Sequence, residues 1–337
     1  MELSVNLGSR SYPIIIEAGC LHRLSGHVDL KRKVLLVTDD GVPEAYVRLV
    51  LSQCQDGHAV TLPQGEGSKS LSCFGELLSK MLELGFTRKD AVLALGGGVV
   101  GDLAGFVAAS YMRGVDFINC PTTTLSEVDS SIGGKVAINL DGAKNIAGAF
   151  YQPIFVAIDP ATLDTLPPRH YAAGLAEAIK AGLIADPELF KLFESGPVSS
   201  SLFEILCHSL LVKKTIVEMD ERETGQRAAL NFGHTIGHAI ESISGLGGLY
   251  HGECVALGML PMIEDKTLRS RTEKIYNAMG LPTHITYDGK AVCEFIKRDK
   301  KAAAGSVTLV RVPALGQYRL DRVPIADLPE IVGEGIG

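Results

Sequence analysis

Residues 91–105 read AVLALGGGVVGDLAG, and the choice of fold turns on them. Five apolar residues (91–95) run without polar alternation into Gly96-Gly97-Gly98, and a helix-compatible stretch follows. A short unbroken apolar run between turn signals reads as a strand buried on both faces, the habit of parallel sheets covered by helices. Glycines directly after such a strand let backbone N–H groups approach an anion closely, and the opening helix adds the positive end of its dipole. By itself the loop supports phosphate or dinucleotide binding and, equally, a tight strand–helix connection whose glycines serve packing.

Working outward, further strand-like runs occur at 13–17, 33–37, 117–120 and 154–158, with helical spacing at 71–84 between them. Strands separated by helices imply an α/β domain with a mostly parallel sheet. The character changes at Leu166-Pro167-Pro168. Beyond it, helical patterns dominate at 172–183, 189–193, 202–219, 228–242 and 255–262, with a strand pair at 306–312 and 317–320. Two domains are expected, 1–168 and 169–337, a division that suits a 337-residue chain.

Composition narrows the function classes. Hydrophobic residues make up 46% and charged residues 21%, an ordinary globular balance. No apolar run reaches the ~20 residues needed to span a bilayer, and no basic segment followed by an apolar stretch opens the chain. A formal net charge of −7 gives no whole-molecule attraction for nucleic acid or an anionic membrane. The seven cysteines are scattered, odd in number and never at CxxC spacing, which argues against disulfides or a thiolate zinc site and for a reducing cytoplasm.

Several residues carry candidate chemistry. Asp39 follows a strand, where a carboxylate can accept hydrogen bonds from a ribose; such an Asp is as readily a turn former. Glu66 and Lys69, in QGEGSKS, read as a solvated loop. In NFGHTIGHAIE (231–241), His234 and His238 stand four apart on an expected helix, a spacing that can offer two imidazoles to zinc. His251 opens another helical pattern, and Glu177 projects from an earlier one. A lone histidine is more often a core residue, but three within eighteen residues favour a metal.

Five blocks now carry a resemblance: 96–115, 121–153, 166–184, 220–241 (DERETGQRAALNFGHTIGHAIE) and 251–259 (HGECVALGM). In this order they resemble the 3-dehydroquinate synthase family, across residues 38–301. The resemblance implies a Rossmann-like α/β domain that binds NAD and a mainly α-helical C-terminal domain that binds metal and substrate, a dehydroquinate synthase-like fold. It implies NAD contacts at Asp39, Glu66, Lys69, Gly98, Val99, Val100, Gly101, Asp102, Thr122, Thr123, Lys135, Lys144, Thr162, Leu163, Asp164 and Thr165. Zinc, with cobalt as the alternative, would sit on Glu177, His234 and His251. That assignment displaces the HxxxH pair and leaves His238 free to contact substrate.

The implied substrate is 3-deoxy-D-arabino-heptulosonate 7-phosphate, a small anion, and the products are 3-dehydroquinate and phosphate. Oxidation by NAD, phosphate elimination, re-reduction and intramolecular aldol closure would link them. Asp129, Lys135, Asn145, Lys180, Lys213, Glu223, Arg227, Asn231, His238 and one or both of Lys300 and Lys301 would line the pocket. Arg113 would reach the phosphate held by the other subunit of a homodimer. Gly41 and Val136 depart from the Asn and Thr common in the family, and the stretch 259–281 is shorter. Related cyclases acting on substrates without a carboxylate should not need the whole set Lys213, Arg227, Asn231 and His238. A polyol dehydrogenase should lack the phosphate-binding cations.

Overall fold

The computed structural model describes residues 1–223, 225–244, 248–298, 305–333 and 335–336. They form two compact units, Met1–Leu166 and Pro167–Gly337. The break falls just before the two prolines because neither is linker. Pro167 caps, and Pro168 opens, the first helix of the second unit, where a missing N–H leaves no hydrogen bond unmade.

The first unit runs β1 (Glu2–Val5), β2 (Tyr12–Ile16), β3 (Lys33–Asp39), α1 (Glu44–Leu51), β4 (Asp56–Leu62), α2 (Leu71–Glu83), β5 (Ala91–Gly96), α3 (Gly98–Ser110), β6 (Asp116–Pro121), β7 (Lys135–Leu140), β8 (Ala143–Phe150) and β9 (Phe155–Ile158). Seven strands make one sheet in the order β1-β2-β9-β6-β5-β3-β4, parallel except where β1 meets β2. β5 lies between β3 and β6 and is buried throughout. Its side chains alternate between two cores. Val92 and Ala94 join the cluster under α2 and α3, while Ala91, Leu93 and Leu95 join the opposite one. The unbroken apolar run therefore means two covered faces.

In the first unit β1, β4 and the β7–β8 hairpin escape the sequence reading. β4 is an edge strand with alternating burial and little apolar content. β7 and β8 pair only with each other, as an antiparallel hairpin whose Val136 and Ile138 enter the α3 core. A Cβ on Gly105 of α3 would come within 2.4 Å of Val136 Cγ1. The Val136 departure thus serves packing, in a place where a threonine hydroxyl would face apolar neighbours.

The second unit contains α4 (Pro168–Ile184), α5 (Pro187–Glu194), α6 (Leu202–Met219), α7 (His234–Ser244), α8 (His251–Met259), α9 (Lys266–Met279) and α10 (Gly289–Arg298). An antiparallel hairpin, Ser306–Ala314 with Gln317–Pro324, accompanies them. The single helix expected over 228–242 is corrected. A 3-10 turn, Gln226–Asn231, ends at Phe232, Gly233 takes φ +78°, and α7 starts at His234. α8 starts at His251, the residue that opens the helical pattern, and runs to Met259, so the 255–262 run is its later part and the 3-10 turn after it. The short stretch 259–281 holds a 3-10 turn and α9. No described helix is long and apolar enough to cross a membrane.

Candidate active site

In doubly wound sheets ligands bind beyond the carboxyl ends of the strands, where the strand order reverses. The chain runs outward from β3 to β4 and returns to β5 on the other side of β3, so the reversal lies between β3 and β5. Asp39 ends β3, and the triple glycine follows β5. Gly97 caps α3 without a side-chain hydrogen bond, which leaves the first helical N–H groups for a ligand. Gly96, Gly98 and Gly101 also meet the G-x-G-x-x-G spacing, with Gly97 in the variable position. A Cβ on Gly96 would stand 2.7 Å from Val100 Cγ2, and one on Gly97 would stand 3.1 Å from Thr123 Cγ2. The turn is closed to side chains.

Around this turn the polar residues are tied together. Lys69, almost fully buried, donates to Asp102 Oδ2 at 2.7 Å and to the Asn145 side chain, with Glu66 Oε1 3.8 Å away. Burial pushes the Asp102 carboxyl above its usual range, against the pull of Lys69. Asn139 adds the junction that the sequence reading missed. Its side chain donates to Glu66 and accepts from Asn145 N, both at 2.8 Å, and its own N–H reaches Lys69 O. Asn145, expected in the substrate pocket, is therefore held on Lys69, which is expected at the cofactor. Thr162 Oγ1 donates to Glu127 and to Asp159 O, and Thr165 Oγ1 to Thr162 O. Val100 and Leu163 have side chains in the interior and can offer a cofactor only backbone. Thr122 is buried and Thr123 half-buried, whereas Lys135, Lys144, Asp164 and Arg113 are exposed. A Cβ on Gly41 would meet the Gln64 side chain at 2.5 Å, so the common Asn would displace Gln64.

The second unit draws its site together through helix contacts that only glycine permits. A Cβ on Gly252 would sit 1.8 Å from Ala173 O, one on Gly258 would sit 2.1 Å from Gly233 O, and one on Gly237 would sit 2.8 Å from Cys254 O. α4, α7 and α8 thereby approach backbone to backbone. Glu177 of α4, His234 at the start of α7 and His251 at the start of α8 converge as a result. Glu177 Oε1 lies 3.5 Å from His234 Nε2 and 3.6 Å from His251 Nε2. Lys180 pairs with Glu177 Oε2, both side chains being 2% exposed. His238 completes the group, its ring 5.2 Å from that of His234 and 5.5 Å from that of His251.

Electrostatics separates these residues. Burial opposes ionisation of Glu177, but Lys180, His234 and His251 outweigh it and hold the carboxyl well below the usual range. Burial and then Lys180 keep His234 neutral, its pKa well below the ordinary value. His251 goes the other way. Burial would lower it, yet hydrogen bonds to Glu177 and Glu241 raise it to about 9. Lys213 is buried on α6, and Arg227 is buried, with Nη1 donating to Glu221 O. Asn231 Nδ2 donates to Glu223 at 2.8 Å, and Glu223 takes φ +58°. Asp129 is half-buried in a π-turn of the first unit. Lys300 and Lys301 lie outside the described residues.

The donor set fits a divalent ion. Ligands at ~2.1 Å in a tetrahedral shell stand about 3.4 Å apart, close to the two Glu177–His separations. Nδ1 of His234 is engaged by Phe232 O at 3.1 Å and that of His251 by Glu241 at 3.0 Å, so each Nε2 faces the carboxylate. The three histidines by themselves also bring one nitrogen each within 4.8 Å of the others. Glu177 differs from His238 in carrying a charge that would offset part of a buried cation's own.

Known proteins bear on this arrangement. The 3-dehydroquinate synthase N-terminal family matches residues 59–173, and the C-terminal family of that enzyme matches 174–302. The chain is 44% identical to the 3-dehydroquinate synthase of Desulforamulus reducens over 98% of this chain and 99% of that one. It is 42% identical to that of Streptococcus mutans over the same shares. Among solved structures, a 2-deoxy-scyllo-inosose synthase complexed with carbaglucose-6-phosphate, NAD+ and Co2+ superposes with TM-score 0.88 at 25% identity, covering all of both chains. A 2-epi-5-epi-valiolone synthase from Streptomyces hygroscopicus shares the fold, with TM-score 0.86 at 24% identity over 97% of each chain. On two family matches that together cover most of its length, and on relatives above 40% identity along nearly all of it, the chain belongs to the 3-dehydroquinate synthase family.

Proposed function

We propose that the chain converts 3-deoxy-D-arabino-heptulosonate 7-phosphate to 3-dehydroquinate and phosphate, with NAD and a divalent metal, as a step of aromatic biosynthesis. The observation that carries this reading is the convergence of Glu177, His234, His251 and Lys180 in a chain whose curated relatives bear that enzyme's name. Glu177, His234 and His251 hold the ion, zinc or cobalt, and the turn after β5 with Asp39, Glu66, Lys69 and Asp102 holds NAD. When bound, NAD accepts and returns a hydride, and the metal polarises the substrate oxygen that is oxidised.

The chain's own side chains do the positioning. Arg227 offers the substrate carboxylate a planar fork that lysine cannot reproduce. Lys135, with one or both of Lys300 and Lys301 and Arg113 from a second copy in a homodimer, fixes the phosphate so that its own oxygen collects the neighbouring proton. Lys180, Lys213, Asn231, Asp129, Asn145 and Glu223 orient hydroxyl groups, and holding reacting groups in register is worth ~7–11 kcal/mol. His238, beside the two imidazole ligands, relays a proton. It would lose that role if His238→Ala kept near-full turnover at normal metal content.

The test is incubation with the heptulosonate phosphate, NAD and zinc. Phosphate and 3-dehydroquinate should appear one for one, with no build-up of NADH. Accumulating NADH would indicate a polyol dehydrogenase. Phosphate release only from other sugar phosphates would indicate another cyclase.

A further inference from the structure

His234, His238 and Glu241 stand at i, i+4 and i+7 in HTIGHAIE, on one face of α7. The first two have roles above and the third has none. Glu241 Oε2 lies 3.0 Å from Nδ1 of His251, across from α7 to the start of α8. An ionised carboxylate only accepts, so Nδ1 carries the hydrogen and, in the neutral ring, the lone pair is left on Nε2. That nitrogen is the one 3.6 Å from Glu177 Oε1. His234 differs, since its Nδ1 meets a neutral carbonyl, Phe232 O.

His251 also has a handicap that His234 shares and Glu241 answers. It is the first residue of a helix, where the positive dipole end opposes a nearby cation. Glu177 already faces the buried Lys180 ammonium as well as the ion, so a second carboxylate, Glu241 behind His251, lowers the excess positive charge of the centre. We propose that Glu241 is a positioning residue for the metal centre: it locks His251 in the Nδ1–H form, aims Nε2 at the ion and strengthens the imidazole as a donor. The inference rests on the metal reading given above and deepens it. Hydrogen bonds of this kind behind a histidine ligand are worth about 10–100-fold in metal affinity.

The full chain, stripped of metal, is titrated with Co2+ against a competing chelator, and the visible bands of bound Co2+ are recorded at saturation. Glu241→Ala should bind Co2+ about 10–100-fold more weakly and shift the bands. Glu241→Gln keeps an accepting oxygen without the charge and should fall between Glu241→Ala and wild type. NAD affinity should stay unchanged in both, which a general loss of structure would not allow. Wild-type Co2+ affinity and bands in the variants overturn the inference; if Glu241→Ala does not fold, the same result in Glu241→Gln suffices. A wild-type chain that takes up no Co2+ overturns the metal reading itself.

Discussion

Gly252→Ala should open the metal centre without touching a ligand. The added methyl would stand 1.8 Å from Ala173 O and 2.6 Å from its carbon, backbone that cannot turn aside. A relaxed C···O contact is about 3.3 Å, so α8 must retreat from α4 by roughly 1.5 Å. Ala173 and Glu177 lie one turn apart on the same face of α4, and His251 precedes Gly252, so the shift falls on the Glu177–His251 pair. Their 3.6 Å separation would grow to about 5 Å, too wide for two ligands of one tetrahedral ion. Overpacking of this kind costs about 1–3 kcal/mol of stability. Losing a ligand should cost more than losing a hydrogen bond behind one, hence at least ~100-fold in affinity, or about 2.7 kcal/mol. Chelator competition measures the affinity and thermal melting the stability. A Gly252→Ala protein with wild-type Co2+ affinity would refute the claim that glycine contacts set the ligand spacing.

Gly75→Ala is the contrasting case: nothing lies within 4 Å of the new methyl in mid-α2, so melting should show a gain of about 0.5–1 kcal/mol. Lys180→Met removes one partner of a fully buried pair and should destabilise the metal-free chain by about 3 kcal/mol, with a larger zinc-induced rise in Tm than wild type shows. Glu127 is fully buried, and burial pushes its carboxyl well above the usual range despite a hydrogen bond from Thr162. Its stabilising contribution is present below the unfolded value of about 4.3 and fades as pH rises toward the folded one. Glu127→Gln should therefore gain Tm relative to wild type as pH goes from 5 to 8, and a difference independent of pH would contradict the neutral carboxyl.

Much of the fold was legible in the chain. β5 could be read because burial on both faces demands an unbroken apolar run, and the body of α4 from its helical spacing at 172–183, although the helix opens earlier, at Pro168. β4 could not, since an edge strand needs few apolar residues, nor could the β7–β8 hairpin, whose partner strand is mostly exposed. The helix expected through 228–242 failed at Gly233, where the chain turns to set His234 at a helix start. Of the candidate residues, Glu177, His234, His238 and His251 are brought together in the second unit, and Asp102, Glu66 and Lys69 in the first. The Glu241 contact had a signal, its i+7 spacing from His234, but spacing along one helix says nothing of a ring on another. Asn139 had none.

By itself the sequence determined which residues could do chemistry and where the strands buried on both faces and most of the helices run, because burial and periodicity are local demands written in residue order. Only the tertiary structure decided which atoms meet. HxxxH spacing favoured His234 with His238, whereas a carboxylate from α4 stands within 3.6 Å of Nε2 of both His234 and His251. That choice depends on how closely three helices pack, and the packing is fixed by glycines whose missing side chains carry no pattern of their own.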